Sequence, residues 1–279
     1  MRMTFRDKLR AAASRNDSLL CVGLDPQLER MPVDDVLTFC RSIIEATSDL
    51  VCVYKPQAAF FEALGLEGWQ ALKATIEAVP DDIPVILDAK RGDIATTAEA
   101  YATACFDVMG ADAVTVNPYL GGDGVRPFLS RPDRSAIVLC RTSNPSAPDL
   151  QDLEVPRGDG GSEPAYMRVA ALANEWNREH QNVGLVVGAT YPEELSAIRN
   201  RCPDLPILLP GIGAQGGDLE ASVAVGLDVA GGGLMLSASR AVLYASEGGD
   251  YAEAARVVAD ELRQAINLAR AQRTVPSAD

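Results

Sequence analysis

Asp88, Lys90 and Asp93 stand in the segment LDAKRGDI, which completes the apolar run PVILD. If that run forms a strand, Asp88 and Lys90 point to the same side of it, because side chains two positions apart share a face. A carboxylate and an ammonium at the end of a buried strand are costly to desolvate unless they are paired. Charged pairs of this kind are typical of reaction centres. A salt bridge that only caps a strand is the alternative interpretation.

Two further ionisable residues follow apolar runs in the same way, Asp25 in VGLDP and Lys55 in VYKPQ. If these runs are neighbouring strands of a barrel, all four charged side chains converge at one mouth. Alternating ammonium and carboxylate groups keep one another ionised. A lysine held as a cation can donate a proton and stabilise developing negative charge, whereas a Schiff-base lysine needs a free amine. The sequence therefore predicts proton-transfer chemistry rather than an imine.

The glycine-rich segment GIGAQGG covers residues 211–217, after the run PILLP. It contains the spacing GxGxxG, but a dinucleotide-binding fold places that motif after its first strand, and here it follows the seventh apolar run. In a barrel, the loops after strands seven and eight commonly bind phosphate through backbone amides. Gln215 adds an amide donor, and Arg240 adds a guanidinium just after the eighth run. This pattern indicates a monophosphate site, with a simple tight turn as the alternative.

Two polar residues after the fourth and fifth runs have more than one interpretation. Asn117 in TVNPY lines the mouth of the barrel or shapes a turn before Pro118. Ser143 in CRTSNPSA hydrogen-bonds a polar heterocycle or caps a turn before Pro145. Both are candidates for substrate binding.

The elements that must position these residues are short apolar runs, most of them followed by a polar turn and a helical pattern. Eight such runs occur: SLLCVGLD, VCVYKPQ, PVILDAK, AVTVNPY, AIVLCRT, VGLVVGAT, PILLPGI and GGLMLSAS. Helical patterns include residues 34–49, 96–110, 163–180 and 251–271. This alternation predicts an α/β protein with a single (β/α)₈ TIM barrel over residues 1–279, of which about 272–279 form a disordered tail. A doubly wound open sheet is the alternative.

One connection is longer than the others and is rich in Pro, Gly and acidic residues: SNPSAPDLQDLEVPRGDGGSEP, residues 143–164. It follows the fifth run. We expect it to hang over the active face as a mobile loop, because loops at the carboxyl ends of barrel strands surround the active site.

Composition excludes several classes of function. The net charge of -14 disfavours a nucleic-acid surface or an anionic membrane as partner. No apolar stretch reaches the length of a membrane span, and the first residues, MRMTFRDKLR, lack the core of a signal peptide, so we expect a cytoplasmic protein. The six cysteines show no CxxC spacing and are predicted to be reduced core thiols. With His180 as its one histidine, the chain must rely on Lys, Asp and Arg for catalysis.

Several of these motifs together resemble the orotidine 5′-phosphate decarboxylase family, namely LDAKRGDIATT, VYKPQ, VGLDP, PGIGAQGGD and SASRAVLYA. TVNPYLGGDGVRPF and CRTSNPSA resemble its longer bacterial subgroup, called type 2. The match runs from about Asp25 to Arg240 in the family's order and spacing. The resemblance implies a homodimeric TIM barrel, a carboxy-lyase that converts orotidine 5′-monophosphate (OMP) to UMP and carbon dioxide. It implies no metal and no organic cofactor.

The resemblance also implies roles within one subunit. Lys90 protonates C6 of the pyrimidine as carbon dioxide leaves, and Asp88 faces the substrate carboxylate. Lys55 bridges Asp88 and the ribose, and Asp25 binds a ribose hydroxyl. Ser143 contacts the pyrimidine.

Other roles implied by the resemblance concern the phosphate and the partner subunit. Gln215 and Arg240 hold the phosphate. Asp93 and Thr97 reach into the site of the neighbouring subunit, and Ile94 packs there.

Two alternative functions are weighed against this one. A related barrel lyase acts on β-keto sugar phosphates through a metal-stabilised enediolate, and that chemistry wants an acid near the end of the second strand, where this chain has Lys55. A catalytically silent phosphate- or nucleotide-binding barrel gains little from Lys90 beside Asp88. Both alternatives are therefore disfavoured.

Overall fold

The computed structural model describes residues 3–189, 191–211 and 219–272. Ten strands occur in this part of the chain: β1 (Leu20–Leu24), β2 (Val53–Pro56), β3 (Ile86–Arg91), β4 (Ala113–Val116), β5 (Ser135–Arg141), β6 (Glu154–Pro156), β7 (Ser162–Pro164), β8 (Val183–Val187), β9 (Ile207–Pro210) and β10 (Leu234–Ala238). All but β6 and β7 form one parallel sheet, in the order β2–β1–β10–β9–β8–β5–β4–β3. These eight strands coincide with the eight apolar runs of the sequence.

The two ends of this sheet meet. Bridges between Tyr54 and Val85 and between Gln57 and Asp88 join β2 to β3 and bring the sheet to a nearly closed barrel. We call this junction the β2–β3 seam. The predicted (β/α)₈ barrel is confirmed, and the open doubly wound sheet is not observed in the described chain.

Twelve α-helices lie in the same residues: α1 (Phe5–Arg15), α2 (Val36–Thr47), α3 (Ala58–Glu62), α4 (Gly65–Ala78), α5 (Ala95–Ala102), α6 (Gly122–Leu129), α7 (Pro148–Gln151), α8 (Ala165–His180), α9 (Pro192–Arg201), α10 (Leu219–Gly226), α11 (Arg240–Leu243) and α12 (Tyr251–Ala271). A π-helical stretch, Thr103–Val108, continues α5, and 3₁₀ turns occupy Leu28–Arg30 and Pro118–Leu120. The predicted helical patterns are confirmed in α2, α5, α8 and α12. None of the helices described combines the length and apolarity that a bilayer crossing needs.

The core has two layers, because successive strand residues point alternately into the barrel and toward the helices. The inner layer contains a buried side chain from each barrel strand: Cys21, Val53, Ile86, Ala113, Ile137, Val186, Leu208 and Met235. Phe5 and Leu9 of α1 pack against this layer. Most of these strand residues stand near the starts of their strands, so α1 closes the end of the barrel opposite to the charged motifs.

The six cysteines are free thiols, and all are buried, as predicted. Burial raises the pKa of Cys21 to about 12 and that of Cys105 to about 11, so these thiols stay neutral at physiological pH.

The long connection after β5 contains regular secondary structure that the sequence did not predict. It contains α7 and an antiparallel hairpin in which β6 pairs with β7, with Val155 opposite Glu163. The turn between the two strands is closed by a hydrogen bond from the Gly161 N–H to Asp159 Oδ1 at 3.0 Å. The buried Glu163 accepts from Arg201 at 3.2 Å and ties the hairpin to α9. The loop therefore carries one helix and one hairpin, and its mobility stays a prediction.

Candidate active site

The carboxyl end of β3 carries the charged motif and departs from regular strand geometry. Leu87 pairs with Val114 and Arg91 with Val116, so four residue steps of β3 (87 to 91) span two steps of β4 (114 to 116). Lys90 has a φ of 46°, in the left-handed region that non-glycine residues rarely adopt. The Lys90 N–H donates to Thr115 Oγ1 at 2.9 Å and holds this bulge. The bulge brings Lys90 back toward Asp88.

Asp88 is the centre of the charged network. Its Oδ1 accepts from Lys90 Nζ at 2.7 Å and from Thr115 Oγ1 at 2.8 Å. Its Oδ2 accepts from Lys55 Nζ and from Gln57 Nε2, each at 3.0 Å. Lys55 Nζ also lies 3.8 Å from Asp25 Oδ1. The structure thus brings the four predicted charges into one alternating row, and four donors fix the carboxylate of Asp88.

The electrostatics of this row keep its buried members ionised. Burial alone would lower the pKa of Lys55, but the carboxylates of Asp88 and Asp25 outweigh it and raise that pKa above its usual value. Burial would raise the pKa of Asp88, but the ammonium groups of Lys55 and Lys90 hold it well below its usual range. The Lys55 side chain is 6% exposed, whereas that of Lys90 is 48% exposed. Lys90 is therefore the most exposed member of the row.

The row forms one wall of a cavity of about 350 Å³ at the carboxyl ends of the barrel strands. Leu139, Val186 and Leu208 supply apolar surface inside it. Six of the residues singled out in the sequence line this cavity: Asp25, Lys55, Asp88, Lys90, Ser143 and Arg240. Within the described ranges, no three His, Cys, Asp or Glu side chains are grouped as metal ligands.

The phosphate end of the predicted site is described in part. Arg240 opens α11 and lines the cavity together with Gly211, whose φ is 100°. Gln215 and the other glycines of the GIGAQGG segment lie outside the described residues.

Four other candidates do not line this cavity. Thr97 is exposed, and Ile94 is 55% exposed. Asp93 Oδ1 accepts from the Ile94 N–H at 2.8 Å. Asn117 is exposed, and its side chain accepts from the Tyr119 N–H at 3.0 Å, which caps the 3₁₀ turn that follows. The structure therefore places Asn117 where the turn-shaping interpretation puts it.

The sequence analysis missed several polar residues of the site. Gln57 and Thr115 bond Asp88 directly, and Thr142, Asn144, Ser237 and Ser239 line the cavity. The available signal was a hydroxyl residue inside an apolar run, as in AVTV for Thr115 and LMLSAS for Ser237. An isolated Thr or Ser in such a run does not by itself indicate a binding site, so the signal is weak.

The chain matches a known family over most of its length. Residues 18–256 match the model of the orotidine 5′-phosphate decarboxylase / HUMPS family. The chain belongs to this family. This chain is similar to an orotidine 5′-phosphate decarboxylase of Thermomicrobium roseum. The two are 52% identical over 274 residues, which cover 96% of each chain.

Two solved structures show a similar architecture. The OMP decarboxylase of Leishmania donovani is 45% identical, with a TM-score of 0.84 over 96% of this chain and 99% of that one. The UMP synthase of Leishmania donovani is 46% identical, with a TM-score of 0.88 over 98% of this chain. This chain spans 58% of the length of that UMP synthase.

Proposed function

We propose that this protein decarboxylates OMP to UMP and carbon dioxide, without a metal or organic cofactor. The observation that carries the proposal is the contact of 2.7 Å between Lys90 and Asp88 in a cavity that Arg240 also lines. Membership of the orotidine 5′-phosphate decarboxylase / HUMPS family supports the same reaction.

Lys90 is the proton donor in the proposed reaction. When the bond between C6 and the carboxylate carbon breaks, carbon dioxide leaves and the electron pair stays on C6. No adjacent carbonyl delocalises that pair in the usual way, so its stabilisation must be electrostatic. The Lys90 ammonium supplies a positive charge as the negative charge develops, and then transfers a proton to C6. The resulting amine regains its proton from water.

Asp88 and its partners prepare the substrate end of the site. Asp88 faces the substrate carboxylate, and its four hydrogen bonds prevent it from turning away. Two carboxylates at close range raise the energy of the bound ground state relative to the transition state, in which the substrate loses its charge as carbon dioxide. Asp25 Oδ1 is buried and has no hydrogen-bond partner among the described residues, so it can accept from a ribose hydroxyl, while Lys55 bridges Asp88 and the ribose.

The phosphate and the base are held away from the reacting carbon. Arg240 and Gln215 bind the phosphate, and Ser143 contacts the pyrimidine. Because the phosphate takes no part in the bond that breaks, its binding energy can drive closure of loops over the substrate.

The active unit in this proposal is a homodimer. Asp93 and Thr97 do not line the cavity, and Ile94 beside them is 55% exposed. A second subunit would cover Ile94. Asp93 and Thr97 would then lie at the edge of the site in that second subunit.

The test is to add OMP with excess EDTA and to follow the loss of its ultraviolet absorbance. We expect turnover that the chelator does not change. A chain that leaves OMP intact would refute the reaction, and turnover that needs added divalent metal would refute the cofactor-free mechanism.

A further inference from the structure

The loop after β5 presents Asn144 to the cavity beside Ser143, and hydrogen bonds run from it back to Gln151 in α7. Gln151 Oε1 accepts from the backbone N–H of Thr142 at 2.8 Å and from Arg141 Nη1 at 3.3 Å. A backbone N–H and a guanidinium can only donate. The end of Gln151 that faces them must therefore be its oxygen.

This assignment sets the direction of the next bond. Gln151 Nε2 then faces Thr142 Oγ1 at 2.7 Å and donates to it. The Thr142 hydroxyl has one proton, and the acceptor within its reach is Asn144 Oδ1 at 2.6 Å. Asn144 thus has its oxygen occupied and presents its Nδ2 amide, for which the described residues offer no partner. The orientation of Gln151 follows from a backbone donor, and the contact between Thr142 Oγ1 and Asn144 Oδ1 carries the same direction on to Asn144.

These hydrogen bonds, which run from Gln151 through Thr142 to Asn144, form what we call the Asn144 relay. The part of the protein that holds Gln151 is rigid. The side chain of Arg141 is 3% exposed, and its Nε donates to Glu194 at 2.9 Å. Its guanidinium lies 5.1 Å from the ring centre of Tyr191 and 5.7 Å from that of Tyr166. An amide that is held from behind in this way is a preorganised donor, because little conformational freedom is lost when it binds a ligand.

We propose that Asn144 donates its Nδ2 amide to a carbonyl oxygen of the pyrimidine base and thereby selects nucleotides that carry an acceptor at that position. The proposal rests on the proposed function, because it takes the ligand to be a pyrimidine nucleotide. Thr142 and Gln151 are positioning residues that act through Asn144. If the base carries an amino group at that position, two N–H donors face each other and no hydrogen bond forms. A site that can only donate there therefore binds such an analogue more weakly.

The first test replaces the donor with an acceptor. Asn144→Asp can still accept from Thr142 but cannot donate to the base. Dissociation constants for UMP, CMP and 2-thio-UMP are measured by calorimetry, with Asn144→Ala as an uncharged second variant. We expect UMP binding to weaken roughly tenfold. The loss of affinity caused by the substitution should be smaller for the analogue that lacks the contacted carbonyl oxygen. That oxygen is O4 if the analogue is CMP, and O2 if it is 2-thio-UMP. Equal penalties for the three nucleotides in both variants would overturn the proposal.

The second test breaks the relay at a residue that does not line the cavity. Gln151→Glu keeps an acceptor for the Thr142 N–H but cannot donate to the hydroxyl, which can then turn its proton to the carboxylate and release Asn144. We expect a smaller ratio between the dissociation constants of UMP and of the analogue, CMP or 2-thio-UMP, that lacks the contacted oxygen. Ser146→Ala, an exposed position in the same loop, is the matched control. If Gln151→Glu discriminates as well as Ser146→Ala, the relay is overturned.

Failure of this inference can be separated from failure of the proposed function. Turnover of OMP by the wild-type protein with equal penalties for all three nucleotides would refute only the role of Asn144. A wild-type protein that neither turns over OMP nor binds UMP would refute the proposed function and, with it, the inference.

Discussion

At the scale of single residues, the site depends on the hydrogen bonds that hold the carboxylate of Asp88 in place. Four donors surround it, two of which are ammonium groups. Gln57 and Thr115 leave it no freedom to rotate. In the proposed reaction, the substrate carboxylate therefore approaches a fixed negative charge. Lys90 differs from Lys55 because about half of its side chain is exposed to the cavity. In the proposed reaction the two lysines therefore have different tasks, although both pair with the same aspartate.

We predict that Lys90→Ala removes turnover of OMP and leaves binding of UMP largely intact. Loss of a positioned proton donor typically costs about 10²–10⁴-fold in rate, and loss of the stabilising charge adds to this. The measurement is kcat with OMP beside the dissociation constant of UMP. A variant with near-normal kcat would contradict the role assigned to Lys90.

The lowered pKa of Asp88 has a consequence for stability in acid. Because the folded pKa lies below the unfolded value of about 3.9, the unfolded chain binds the proton first as pH falls. The contribution of Asp88 is present above about pH 4 and is lost below it as pH approaches the folded pKa. We predict that the difference in free energy of unfolding between wild type and Asp88→Asn shrinks as pH falls. Urea titrations from pH 6 to pH 3 measure it, and a difference independent of pH would contradict the shifted pKa.

At the scale of elements, the β2–β3 seam joins the two strands that carry Lys55 and Lys90. Backbone pairing across it consists of isolated bridges, Tyr54 with Val85 and Gln57 with Asp88, rather than a continuous ladder. Glu62, at the end of α3, forms an ion pair with Arg91 across this seam. The Arg91 guanidinium also lies 5.2 Å from the ring centre of Tyr101. Arg91 thus anchors the chain directly after the left-handed Lys90.

We predict that Arg91→Met loosens the bulge at Lys90 and lowers kcat for OMP more than it changes KM. The reason is that Arg240, the proposed phosphate ligand, stands in α11 and does not depend on this seam. Arg91→Lys should restore part of the rate, because it retains the charge opposite Glu62. Arg256→Met, which breaks an exposed ion pair with Asp49 far along the chain, is the control for general loss of stability. Equal kcat in the Arg91→Met and Arg256→Met variants would show that the seam does not position Lys90.

The elements differ in how far the sequence could predict them. The pattern at 251–271 predicts α12 to the residue, and the eight apolar runs predict the barrel strands, because long periodic patterns dominate local structure. The bulge at Lys90 could not be predicted, since it depends on Thr115 from a neighbouring strand. The hairpin in the β5 loop was missed because its strands are three residues long and contain proline and glutamate.

The same contrast holds for the candidate site. The charged row was predictable, because strand ends in a barrel converge and its four members stand at strand ends. The role proposed for Asn144 could not be predicted. It depends on the direction of hydrogen bonds that start at Gln151, seven residues away in the chain.

At the scale of the whole molecule, the proposed shared site can be tested by mixing subunits. Asp93→Asn and Lys90→Ala chains should each be inactive alone. In a heterodimer, one of the two sites receives intact Lys90 and intact Asp93, so we expect partial recovery of OMP turnover on mixing. A protein that is fully active as a strict monomer in sedimentation would exclude a contribution from a second subunit.

The buried thiols give the intact barrel a built-in reporter of its own opening. Cys21 lies in the inner layer of the barrel and Cys105 in the π-helical stretch, and neither can react with a labelling reagent while it is buried and neutral. The rate of modification at each cysteine therefore measures how often its region opens to solvent. A ligand that stiffens the mouth of the barrel should slow labelling at Cys21, so occupancy can be followed without any chemical turnover.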